Sequence, residues 1–110
     1  MEISWSDFEK VDIRVGTILQ AEVFKEARNP SYKLVIDFGA LGQLKSSAQI
    51  TDLYELSSLI GQQVLAVVNF PKKQIATMMS ECLVLGLVAE EKGVVLVAPD
   101  RKVTNGMRLA

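Results

Sequence analysis

At 110 residues the chain has room for one domain and one core, and 49% hydrophobic against 23% charged residues is a globular balance that excludes intrinsic disorder. A formal net charge of −1 argues against a dedicated nucleic-acid binder, because neutralised phosphates supply most non-specific affinity. One cysteine and no histidine exclude an intrachain disulfide and leave nucleophilic triads and transition-metal sites without their parts, so the chain is expected to be no enzyme and to hold no cofactor or metal.

Taken in order, Ser6-x-x-Glu9 reads as a capping box opening a short N-terminal helix. Two turns cannot bury Trp5 and Phe8, so these are expected to pack on the body or on a second chain. Together with Val103, Met107 and Leu109 of the apolar tail they are the candidate interface of a homodimer. Residues 13–24 form a long strand rich in β-branched residues, with Gly16 as the expected bulge. Asn29-Pro30-Ser31 marks a turn. In the second strand, Tyr32, Leu34, Ile36 and Phe38 share one face, Lys33 and Asp37 the other. Residues 39–42 turn the chain and 44–49 make a third strand.

Asp52-x-x-Glu55 resembles a cap, and Leu53, Leu56, Leu59 and Ile60 recur at helical spacing until Gly61. Residues 64–69 and 82–89 are apolar strands, the second leading through Glu90-Glu91-Lys92-Gly93 into residues 94–98 as a hairpin. Asn105-Gly106 is a turn signal in the tail. This order predicts an all-β fold: a five-stranded oligonucleotide-binding-fold barrel with a helix between strands three and four, a short N-terminal helix and a C-terminal extension, all in a single domain, 1–110. The N-terminus lacks a basic-then-apolar leader and no apolar run reaches about 18 residues, so a cytoplasmic protein without membrane insertion is expected.

Few residues carry chemistry. Asp12 and Arg14 share side-chain parity on a strand and are expected to pair as ions at a sheet edge; Cys82 is expected to be a packed core thiol. The segment Asn69-Phe70-Pro71-Lys72-Lys73-Gln74-Ile75-Ala76-Thr77-Met78-Met79-Ser80 is the candidate ligand loop between strands four and five. No acid occurs from Leu56 through Ser80, and Lys72 and Lys73 are suited to phosphates. Arg28, Lys33 and Lys45 join them if the chain folds back. Phe70 either stacks on a base or packs in the core, while Met78 and Met79 either present a soft apolar surface to peptides or pack ordinarily.

Four motifs in order carry a resemblance: Val11-Asp12-Ile13-Arg14-Val15-Gly16-Thr17-Ile18, Ser46-Ser47-Ala48-Gln49-Ile50, Asn69-Phe70-Pro71 and Ser80-Glu81-Cys82-Leu83-Val84-Leu85-Gly86. The chain resembles the CsaA-type export-related chaperones of the oligonucleotide-binding-fold tRNA-binding-domain superfamily, which also includes the C-terminal domain of methionyl-tRNA synthetase. The resemblance implies a cytosolic chaperone for unfolded or precursor proteins. Its alternative is a tRNA-binding protein that reads shape and phosphates through Lys72, Lys73, Lys45, Arg28, Asn69 and Ser80. The tRNA-binding relatives tend to have Ser-x-Gly-Met where this chain has Ser80-Glu81-Cys82-Leu83, and the intruding acid favours the chaperone branch.

Overall fold

The alternation of residues 32–38 is intact in the computed structural model, which describes residues 1–89 and 91–110. Tyr32, Leu34, Ile36 and Phe38 all point inward from β2 (Tyr32–Asp37) and its end, and they form the centre of the core with Ile18, Ile50, Leu59, Val64, Ala66 and Cys82. β2 lies antiparallel between β1 (Ile13–Val23) and β3 (Gln43–Ala48). β1 also pairs with β4 (Gln63–Val67), which in turn pairs with β7 (Leu83–Val84), so the order is β3-β2-β1-β4-β7. Glu81 N–H donates to Lys45 O at 2.7 Å and Ser46 Oγ to Cys82 O at 3.0 Å, which draws β3 against the entry to β7. The sheet is thus a nearly closed antiparallel five-stranded barrel. Two hairpins project from it, β5 (Lys73–Ile75) with β6 (Met78–Ser80), and β8 (Gly86–Val88) with β9 (Val94–Leu96).

Four local expectations are corrected. The cap of α1 (Trp5–Glu9) is Ser4: its Oγ accepts from Asp7 N–H at 3.1 Å while the Asp7 carboxylate accepts from Ser4 N–H at 3.2 Å, and Ser6 only exchanges a hydroxyl contact with Ser4. The capping box therefore begins two residues earlier than expected. The bulge of β1 is not at Gly16 but at Leu19, between the pairs Ile18–Ile36 and Gln20–Val35. Gly16 sits in regular register opposite Val64, and a Cβ there would lie 2.5 Å from Ile36 Cγ2 and 2.7 Å from the Phe38 ring. The position is bare because the core needs the space.

The helix after β3 is one turn, α2 (Leu56–Leu59), and Glu55 at its N-cap makes no side-chain cap bond. Tyr54 holds the preceding backbone elsewhere: its carbonyl accepts from Tyr32 Oη at 2.8 Å and its hydroxyl accepts from Leu96 N–H at 2.9 Å. Only Leu59 of the apolar series is fully buried, while Leu53 and Ile60 are exposed. Lastly, the apolar run 82–89 is not one strand. The chain leaves the barrel at Leu85, which bonds Leu65 and Val97, so that β7 serves the barrel and β8 the outer hairpin. Glu90, part of the expected hairpin turn, lies outside the described residues.

The tail is stitched in. Gly106 N–H donates to Val15 O, Val15 N–H to Met107 O and Leu109 N–H to Ile13 O, so residues 106–109 cover the half of β1 that β2 does not reach. Asp12 and Arg14 pair as expected, Nε to Oδ1 at 2.6 Å. Arg14 Nη1 also donates to Gly106 O, and Arg108 joins the same carboxylate at 3.5 Å. Among the described residues no helix is long and apolar enough to cross a membrane.

Candidate functional site

The candidate loop is a two-stranded arm. Lys73 pairs with Ser80, Gln74 with Met79 and Ile75 with Met78, leaving Ala76 and Thr77 as a two-residue turn. Such turns need positive φ, and Ala76 supplies it at φ 47°. An L side chain pays about 1–2 kcal/mol in that region. Glycine removes the clash but gives back part of the gain through its looser unfolded chain. Ala76→Gly is expected to raise stability by about 0.5–1 kcal/mol, read as a shift in the urea midpoint; a lower midpoint refutes a strained turn.

Alternation on this arm separates the two methionines. Met78 is 9% exposed and Met79 37%, so of the two alternatives Met78 packs ordinarily, facing inward beside Ile75, while Met79 is open to solvent. Phe70 is 55% exposed and is not a core residue.

Glu81 joins the arm to the barrel. Its Oε1 accepts from Lys45 N–H at 2.9 Å while its own N–H donates to Lys45 O, and Oε2 lies 3.3 Å from Lys72 Nζ. The Lys45 N–H and then the Lys72 ammonium hold its carboxyl below the usual range, against the opposing effect of partial burial. Ser80 Oγ accepts from Ser47 N–H at 3.3 Å. Lys45 and Lys72 therefore meet at one fixed carboxylate, with Lys73 and Ser80 paired beside it on the arm. Beside them Phe70, Pro71, Lys73, Ser80, Glu81, Cys82 and Leu83 line a largely apolar pocket of about 300 Å³.

Other expected residues stand apart or are already occupied. Arg28 is exposed in the β1–β2 connection. Lys33 pairs with Glu22 at 3.3 Å and lies 5.4 Å from the centre of the Phe24 ring. Asn69 is a splice: Oδ1 accepts from Asp12 N–H at 3.0 Å and Nδ2 donates to Lys10 O at 2.7 Å, which ties α1 to the end of β4. Lys72 is paired rather than free. Lys73 is exposed and makes no ion pair among the described residues. Leu83 was missed as a site residue because it stands in an apolar run, yet with Cys82 turned inward, strand parity turns Leu83 out.

Of the candidate interface residues, Trp5 and Phe8 meet edge to face, ring centroids 6.4 Å apart, and with Ile3, Ser4 and Ala110 they line a groove of about 400 Å³. Val103 and Met107 line a different groove next to Gln63, and Leu109 is exposed.

Cys82 is the buried thiol expected, and burial pushes it from 9.0 up to about 12. The folded state thus favours the neutral thiol, so its contribution to stability is complete below about pH 8.5 and is lost between there and about pH 12. Native protein at pH 8 is expected to resist iodoacetamide until urea unfolds it; rapid native labelling contradicts this burial. Among the described residues no group of three or more His, Cys, Asp or Glu is placed to hold a metal ion.

Comparison with known proteins gives three findings. The family model described as a putative tRNA binding domain matches residues 13–108. Two solved structures match throughout: the chaperone CsaA of Bacillus anthracis, 50% identical with TM-score 0.94 and 100% of both chains covered, and the CsaA chaperone protein of Picrophilus torridus, 49% identical with TM-score 0.93, covering 99% of this chain and 100% of that one. The methionine–tRNA ligase of Methanococcoides burtonii is 31% identical over 104 residues, which is 94% of this chain but 15% of that much longer protein.

Proposed function

Since the chain belongs to the putative tRNA binding domain family, we propose that it is a CsaA-like molecular chaperone, a cytoplasmic homodimer without catalytic activity that holds unfolded or export-bound preproteins through apolar contacts. The observation that carries this reading is the pocket of about 300 Å³ between Phe70, Pro71 and Leu83, whose cationic rim is already half cancelled by Glu81. An apolar side chain entering it loses water at about 25 cal/mol per Å² against a lining whose charged members are Lys73 and the Lys72-paired Glu81. Phe70, itself exposed, carries the apolar lining out to the surface, while Met79 is exposed on the opposite face of the arm from Lys73 and Ser80. Full-length similarity to two CsaA chaperone structures supports the reading.

The tRNA-binding reading is favoured by one specific observation, the exposed Phe70 ring on the same pocket as Lys73, which makes no ion pair among the described residues, an aromatic and a cation suited to a base and its phosphate. The two readings differ in the force they use. A stoichiometric amount of protein is expected to suppress aggregation of a chemically denatured client at low salt and equally at ~0.5 M salt, where surface charge is largely screened. ATP is expected to change nothing. A variant carrying Phe70→Ser and Leu83→Ser should lose most of that protection; Met78 is left alone because its burial makes it structural, and Met79 because it faces away from the pocket. Failure of the wild type to slow aggregation, together with tight tRNA binding at physiological salt, replaces the chaperone reading with the tRNA one.

A further inference from the structure

We propose that Glu81 sets the selectivity of this face against polyanions by holding Lys72 out of reach of phosphate. The inference rests on the reading of the β5–β6 arm and its pocket as the ligand surface. Lys45 and Lys72 meet there at one built-in anion, and Lys73 stands beside it on the pocket wall. Glu81 is fixed from both sides by Lys45, donating its own N–H to the Lys45 carbonyl at 2.7 Å and accepting the Lys45 N–H at 2.9 Å. Its side chain is 17% exposed, against 65% for Lys72, so a shielded carboxylate captures a mobile ammonium at 3.3 Å.

An ordinary surface ion pair contributes little, because two flexible chains must both be ordered. Here one partner is ordered already by backbone bonds, and only Lys72 gives up freedom. A phosphate seeking Lys72 must strip it from Glu81 and then lie beside a bare carboxylate that the Lys45 N–H favours in its charged form. Lys73, on the next residue, makes no such pair and lines the pocket. The two adjacent lysines are thus unequal: Lys73 is available to an anion and Lys72 is cancelled. An apolar peptide segment makes no demand on either. Glu81 is a positioning residue in this scheme, acting on ligands through Lys72.

The salt dependence of tRNA binding reads the number of cations in contact with phosphate, since each one releases a condensed counterion and steepens the log–log slope by about 0.7–0.9. Bulk tRNA is titrated with the full chain by fluorescence anisotropy between about 50 and 300 mM salt. Glu81→Gln keeps the oxygen that accepts from Lys45 N–H and removes the charge. It is expected to steepen the slope by about 0.7–0.9 and to tighten binding about fivefold to tenfold at ~0.1 M salt. In a Lys72→Gln background that gain should vanish, whereas a general repulsion by Glu81 keeps it.

A second comparison leaves Glu81 untouched and so holds even if Glu81→Gln does not fold: Lys73→Gln should flatten the slope by about one contact while Lys72→Gln leaves it nearly unchanged. Equal flattening by the two lysine variants overturns the proposal. So does an unchanged slope in Glu81→Gln, a gain that survives removal of Lys72, or no binding by either wild type or Glu81→Gln at about 50 mM salt. Aggregation suppression by the wild type is measured in parallel. Suppression without the slope change discards this inference and keeps the chaperone reading; the slope change without suppression does the reverse.

Discussion

Phe38→Ala is expected to lower the unfolding free energy by about 3–5 kcal/mol, the cost of deleting a buried aromatic whose surroundings cannot fully collapse. The ring is fully buried and lies over Gly16, filling the space that a Cβ on that residue would need. Domains of this size have only about 5–15 kcal/mol in hand, so the loss takes a large share of it and is visible in urea titrations at unchanged m. Gly16→Ala approaches the same contact from the other side. It is expected to cost about 1–3 kcal/mol by overpacking, and less when Phe38→Leu is present, because the two changes share one volume. A loss below about 1.5 kcal/mol for Phe38→Ala is incompatible with this packing.

Light scattering of the wild type at micromolar concentration is expected to give about twice the chain mass of 12.1 kDa. The double variant Trp5→Ala, Phe8→Ala is expected to be monomeric under the same conditions. Trp5 is 79% exposed on a five-residue helix, and Ile3 beside it is exposed as well, an apolar cluster too large to face water without a cover. A twofold axis makes each side chain count twice, so the double variant removes four aromatic anchors. At about 2 kcal/mol or more for a central aromatic, association should weaken by at least about a thousandfold. An unaltered dimer in the variant moves the interface away from α1, and a monomeric wild type ends the dimer proposal.

The parts of the fold that were legible are those where one physical cause dominates. Tyr32, Leu34, Ile36 and Phe38 announce their strand because one face is wet and the other is core, and a slip of one residue reverses every side chain. The order of the barrel strands along the chain followed from such runs. Less legible were places where two local solutions compete. Ser4 with Asp7 and Ser6 with Glu9 are both plausible capping boxes, and the choice between them is made far away: Arg108 donates to Glu9 O at 2.7 Å and Asn69 to Lys10 O, which requires the helix to end there. Leu53, Leu56, Leu59 and Ile60 have helical spacing, but Tyr54 is committed to Tyr32 and Leu96, and tertiary hydrogen bonds override the period.

The candidate site was legible in its location and not in its architecture. Lys72, Lys73, Phe70, Met79 and Ser80 do lie together on or beside the β5–β6 arm. The arm itself was hidden, because Ala76-Thr77 lacks the Asn-Gly chemistry that signals a tight hairpin. Glu81 was visible as an intruding charge, but its grip on Lys45 spans 36 residues and no local pattern encodes it. Asn69 carries a side chain equally suited to ligand or backbone, and only the fold reveals that both ends of its amide are spent.

The attachment of residues 106–109 to the first half of β1 has a consequence in time. Arg14 and Arg108 are bridged across almost the full length of the chain, and one edge of the longest strand stays open until that late segment arrives. During synthesis at about 5–20 residues per second, Ile13 and Val15 must wait several seconds with unpaired backbone groups while everything between is made. Such distant pairings also place folding in the slower, millisecond-to-second range typical of β topologies. A nascent chain of this protein therefore passes through an interval in which it is itself an open-edged, aggregation-prone client.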